Sequence, residues 1–170
     1  FAAPAADDDG SGCAAVLEAA RILRDIPFEC SIIFALWDEE EQGKLGSIYY
    51  ANQASANDLD IRGVINMDAI AYDSDGDGRA RVHSKNEGNS PAIADTVLAL
   101  NERHGIGLDM VNNHPGAEYS DHASFWARDY GAVLMIQDWD DDSNPNYHET
   151  TDLSIYFDVP YYEKLAKLSI

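Results

Sequence analysis

Apolar and polar residues fall along this chain in two kinds of block. "DDDGSGCAAVLEAARILRDI" sets Val16, Leu17, Ala20 and Leu23 at helical spacing behind acidic capping residues, which predicts a helix. "CSIIFALW", residues 30–37, is a short and almost continuous apolar run, the pattern of a strand buried on both faces. "LGSIYYANQAS" reads as a helix, "IRGVINMDAIAY" as another buried strand and "RARVHS" as a short strand. "SPAIADTVLALNERHG" opens with Ser90 as N-cap and Pro91 at the first helical position and stops at Gly105, the asymmetry of a helix start and end. The segment "LDMV", a helix over "SDHASFWARDYG", the strand "AVLMIQ" and a final helix over "VPYYEKLAKLSI" follow. Strands alternating with helices predict an α/β fold, a three-layer sandwich with a mostly parallel central mixed sheet flanked by helices. With no internal repeat, low-complexity tract or linker, residues 1–170 are expected to form one domain.

Composition narrows the partners. The chain has 170 residues, 45% of them hydrophobic, enough for a real core. No apolar run approaches the roughly 18 residues of a membrane span, so no membrane insertion is expected. There are 31 acidic against 11 basic side chains, a formal charge of −20. That field repels nucleic acid and anionic membrane surfaces, favours cations, and suits a secreted, periplasmic or salt-adapted protein. Cys13 and Cys30 both sit in apolar contexts and are expected to be buried free thiols. The chain opens at "FAAPAADDDG" without an initiator Met, so it is expected to be an N-terminally truncated domain. Nothing in the sequence specifies an oligomeric state.

Candidate chemistry lies at strand ends, where open α/β sheets build their sites. "DEEE" follows the strand "SIIFALW", Asp68 ends "GVINMD", "DDD" precedes a helix, and His148 lies in "NPNYHETTD" after "AVLMIQ". Singly, each has an ordinary explanation: a helix cap, a turn aspartate, a surface histidine. Together they bring oxygen and imidazole donors to one sheet edge, a mixture suited to zinc with open positions.

"APAADDDGSG", "DEEEQGKLGS", "NMD", "SDHASF" and "NPNYHETTD" occur in the order and spacing of the co-catalytic dizinc aminopeptidases, a family related to glutamate carboxypeptidases and glutaminyl cyclases. The chain resembles this family over essentially its whole length. The resemblance implies a zinc-dependent exopeptidase acting on peptides, with two zinc ions in a complete site. It makes Asp8 the bridging ligand, with Ala5 in place of the family's usual glycine. Aligned on Gly43, Gly46 and Ser47, the acidic pair is Glu40, the general base, and Glu41, a metal ligand; a one-residue slip would shift both roles to Glu39 and Glu40. Asp68 and His148 match the remaining ligands present. In such a site two zinc ions share a water and lower its pKa, and the base removes its proton. The family's other histidine, in an H-x-D motif about twenty residues before "DDD", has no counterpart here, so the resemblance implies at most one tightly held zinc and little activity for this chain alone.

"SDH", Ser120–His122, does not read as a serine triad, because adjacent residues point in different directions. By resemblance Tyr119, Ser120 and Asp121 border the substrate or support the ligands. His83, His104 and His114 read as surface or packing histidines. "DSDGDG" has Asp73, Asp75 and Asp77 at the first positions of a calcium loop, but position 12 is Ser84, so a solvated turn is favoured over calcium. The alternatives to an aminopeptidase are a carboxypeptidase or cyclase on the same scaffold, and a non-catalytic binding or dimerisation module.

Overall fold

A computed structural model describes residues 3–170. Helix α1, Gly10–Leu23, begins where the Asp9 carboxylate accepts the Gly12 N–H at 3.2 Å. Helix α2, Leu45–Ala56, precedes strand β1, Val64–Met67, and strand β2, Arg79–His83. Helix α3, Ser90–His104, carries the expected Pro near its start and ends on Gly105, whose φ of 59° is the left-handed cap conformation. Strand β3, Asp109–Asn113, the short helix α4, His122–Trp126, strand β4, Ala132–Gln137, and helix α5, Val159–Leu168, complete the chain. At the start of α5 the Asp158 carboxylate accepts the Tyr161 N–H.

The sheet order is β1-β4-β2-β3. β1 runs parallel to β4, and β2 parallel to β3, while β2 and β4 are antiparallel. The expected mixed, mostly parallel sheet is thus present, and helices cover both faces. Val133 and Met135 of β4 join Val82, Met67 and the apolar sides of α1, α3 and α5 in the larger core. Ala132 faces the other way, into a smaller cluster with Ala51 of α2 and Phe125 and Trp126 of α4. Alternate side chains of one strand thereby serve both layers.

The segment "CSIIFALW" departs from expectation. Residues 31–37 carry no regular secondary structure and join no strand of the sheet, and Ile33 and Leu36 are 62% and 52% exposed. Its apolar pattern specifies a fully covered strand, yet among the described residues nothing covers it. Only Trp37, at its end, is anchored, 5.1 Å from the Tyr50 ring and 5.9 Å from that of Phe125. Cys30 is consequently exposed rather than buried, and Cys13 is half-buried; both are free thiols. The strand read across "IRGVINMDAIAY" is confined to four residues, and the helix read across "SDHASFWARDYG" to five.

Candidate metal centre and active site

Five segments supply the site: the loop before α1, the turn before α2, the end of β1, the loop before α4 and the long loop after β4. The first is fixed from behind. Asp7 is buried and accepts hydrogen bonds from the Ala71 N–H (3.0 Å), the Gln137 side-chain amide (2.9 Å) and the Asn144 side-chain amide (2.8 Å). In turn the Asp152 carboxylate accepts from the Asp7 and Asp8 N–H groups, at 3.0 and 3.1 Å. These bonds set Asp8 at the surface of the site with its neighbour Asp9 committed to capping α1. Sequence reasoning missed Asp7, Gln137, Asn144 and Asp152. The readable signal was Gln137, a polar residue closing a wholly apolar strand, since a buried amide needs partners.

Asp8, Glu41 and His148 offer ligand atoms that all lie within 4.8 Å of one another. His148 Nε2 is 2.6 Å from Glu41 Oε1 and 3.3 Å from Asp8 Oδ2. His148 has a φ of 60°, and its ring stacks on that of Tyr147 at 3.7 Å. A nitrogen and two carboxylate oxygens converging in this way fit one zinc ion with an open position. Asp68 sits at the end of β1, where it accepts a 2.5 Å hydrogen bond from the Ser120 hydroxyl, itself bonded by the Asn66 amide. Among the described residues, Asp8 and Asp68 are the expected ligands left for a second ion, fewer than tight zinc binding needs.

Glu40 and Glu41 diverge as neighbours on a turn can. Glu41 is exposed beside His148, whereas Glu40 is half-buried and lines a cavity of about 240 Å³ with Asp8 and Asp68. Asp38 and Glu39 remain exposed outside it. The turn depends on Gly46, where a Cβ would meet the Asp38 carbonyl oxygen at 2.7 Å. The rest of the cavity wall is Ala69, Tyr119, Ile136, Trp139 and Tyr147, largely apolar surface around an acidic end.

Crowding leaves its mark on the carboxylates. Burial, then the charges of Asp68 and Glu41, push Asp8 up to about 7. Burial, then Asp68, Asp121 and Glu41, push Glu40 up to about 7 as well. Asp9 is pushed to about 9 by burial and then Asp68, against the lowering effect of the Ala69 and Gly12 N–H groups. Burial also raises Asp68. So many raised acids in one place describe a site short of positive charge, which a cation would relieve.

The remaining expected residues divide. Ser120 and Asp121 are buried, Ser120 against Asp68 and Asp121 near enough to Glu40 to raise it. Asp73 and Asp75 gather with Asp142, within 4.8 Å, while Asp77 turns away to accept the Arg79 N–H. Asp73 accepts the N–H groups of Gly76 and Gly78, as in a closed turn. His83, expected to be an ordinary histidine, is buried behind Tyr119.

The chain matches peptidase family M28 over residues 1–169 and belongs to that family. A probable leucine aminopeptidase of Arthroderma benhamiae is 26% identical over 174 residues, covering 99% of this chain and 46% of the relative. A probable zinc metalloprotease of Pyricularia oryzae is 25% identical over 209 residues, covering 99% of this chain and 41% of the relative. The crystal structure of the Legionella pneumophila LapA aminopeptidase superposes with a TM-score of 0.87 at 25% identity, over 98% of this chain and 45% of that one. The chain therefore spans about half the length of the relatives it matches.

Proposed function

We propose that this chain carries the metal-binding and proton-transferring part of a zinc-dependent aminopeptidase, which removes N-terminal residues from peptides. The observation that carries the reading is a single cavity in which Glu40 faces Asp8 and Asp68, with Glu41 and His148 beside Asp8. Asp8, Glu41 and His148 would hold one ion, and Asp68 with Asp8 would supply part of the setting for a second. When bound, zinc supplies Lewis acidity toward a water and toward the scissile carbonyl. Glu40 stays clear of the ligand cluster, takes a proton from the attacking water and returns it to the departing amine. Its raised pKa brings the carboxylate close to neutrality, and a nearby cation draws it down into the ionised form a base requires. The carboxylates attract the free α-ammonium of a peptide, which selects chain ends over internal bonds. Ala69, Ile136 and Trp139 offer apolar surface to the first side chain, which favours an apolar residue there.

Glu40→Gln tests the reading, since it keeps shape and removes the base. In the full-length protein zinc uptake by calorimetry stays unchanged while hydrolysis of leucine p-nitroanilide falls by about 10³-fold. Wild-type turnover in the variant overturns the assigned base.

A further inference from the structure

Trp139 forms part of the cavity wall, yet it is only half-buried and its aromatic neighbour gives it little support. It meets the Tyr147 ring edge-on, with centroids 4.7 Å apart, and Tyr147 is itself 39% exposed. The residues on either side of Trp139 hold it instead, and one arginine grips both. Arg81 of β2 is 7% exposed and stands directly opposite Ile136 of β4 in the antiparallel register. Opposite residues of an antiparallel pair share a face, so Arg81 lies beside the cavity residue Ile136. Its Nε donates to Asp138 Oδ1 at 2.7 Å, and its Nη1 lies 2.8 Å from Asp140 Oδ2. Nη1 also donates to the Asn113 side-chain oxygen at 3.2 Å, which ties the guanidinium to β3.

The two aspartates flank Trp139 in sequence. Asp138 Oδ1 also accepts the Asp140 N–H at 3.2 Å, so the chain turns at the tryptophan. Beyond it Asp142 accepts the Ser74 hydroxyl at 2.6 Å, which anchors the far side of the turn. Burial works against the Asp138 charge, but the bonds from Arg81 and the Asp140 N–H outweigh it and hold the carboxyl below its ordinary value. The clamp is therefore ionised through the neutral range. It needs a fork: a guanidinium presents separate N–H groups to two carboxylates, whereas an ammonium is a single point charge.

We propose that Arg81 is a positioning residue for substrate selection, which fixes Trp139 as a rigid wall and so sets which first side chains the cavity accepts. The inference rests on the peptidase reading and deepens it. The cavity of about 240 Å³ has to hold the substrate backbone as well as its first side chain. A wall gripped on both sides does not swing aside to make room. Leucine is admitted against Ile136 and Trp139, and the longer, flat side chain of phenylalanine is disfavoured.

The test uses the zinc-loaded full-length protein. Arg81→Lys keeps a positive charge beside Asp138 and loses the fork. It is expected to raise kcat/KM for phenylalanine p-nitroanilide, relative to leucine p-nitroanilide, by about 10-fold and chiefly through KM. Asp140→Ala, which opens one side of the clamp at an exposed residue, shifts the ratio the same way by about 2-fold. In a Trp139→Ala background Arg81→Lys adds no further shift. A ratio unchanged in Arg81→Lys, an equal fall for both substrates, or a shift that persists without Trp139 each overturns the proposal. A second readout needs no turnover. Fluorine NMR of fluorotryptophan-labelled protein, with Trp139 assigned by the line lost in Trp139→Phe, is expected to show one narrow line in the wild type. In Arg81→Lys that line broadens or divides; a line as narrow as in the wild type overturns the clamp. A zinc-loaded wild type that hydrolyses neither anilide overturns the peptidase reading, and the selection assigned to Arg81 with it.

Discussion

In β4, "AVLMIQ", every residue is buried, and hydrogen-bonded neighbours lie on both sides, β1 and β2. In "SIIFALW", residues 31–37, an equally apolar run has no regular secondary structure, its side chains largely open to solvent and no strand beside it. The two differ in what surrounds them. An apolar run states what a segment needs to have covered; whether it is covered depends on elements elsewhere. The first run has a strand on either side and a helix layer on each face. The second is held only where Trp37 reaches the aromatic cluster.

The contrast predicts unequal costs of truncation. Leu134→Ala in β4, where Leu134 is 0% exposed, lowers unfolding stability in urea by about 3 kcal/mol, while Phe34→Ala, at a site 38% exposed, changes it by less than about 0.5 kcal/mol. Similar costs at the two sites would break the comparison.

The acidic groups are the charged counterpart: covered, but without the positive charge that covering demands. Asp8, Asp9 and Glu40 bind protons more tightly in the fold than their ordinary values of 3.8, 3.8 and 4.5 allow in the unfolded chain. Their contribution to stability is present below about pH 4 and is lost as pH rises through about 7 and beyond. In EDTA, thermal unfolding should therefore fall from pH 5 to pH 8. With zinc the ligands must be deprotonated to bind, so added zinc raises the midpoint more at pH 8 than at pH 5. A midpoint in EDTA that climbs over this interval contradicts the raised values.

A smaller effect comes from the backbone. Ala5 has a φ of 55°, and its carbonyl oxygen accepts the Gly10 N–H at 3.0 Å. The resemblance anticipates glycine there, and Ala5→Gly should stabilise by about 0.5–1 kcal/mol by relieving the left-handed strain. Smallest in stability is Ile33→Lys, which leaves the urea midpoint unchanged but lowers light scattering at high concentration, because an exposed, unpaired apolar segment invites association.

Much of this molecule is legible in its sequence. The helix over Ser90–His104 is announced by Pro91 and Gly105, although its N-cap is Asn89 and the expected cap Ser90 is its first residue, and the turn at Gly43–Gly46 separates Glu40 from Glu41 without any coordinates. These features are local, written in residues a few positions apart. The support of the site is not. Asp7 meets Gln137 and Asn144 because β4 delivers them, and no local pattern marks a buried carboxylate in a run of three. The surroundings of His83 are non-local in the same way: read as a surface or packing histidine, it is buried and accepts the Ala117 N–H from a loop 34 residues further along the chain. The exposed run at 31–37 is the opposite failure, a strong local pattern without the surroundings it presupposes.

The clamp between Asp7 and Asp152 joins residues 145 positions apart. Closing so long a loop is entropically late, since nearby contacts form first and distant ones wait for them. During synthesis Asp7 emerges 145 residues ahead of Asp152, the group that locks its backbone. A nascent polypeptide thus exposes the first parts of the candidate site long before it can assemble them, and assembly becomes a checkpoint on the folding of the segment from Asp7 to Asp152.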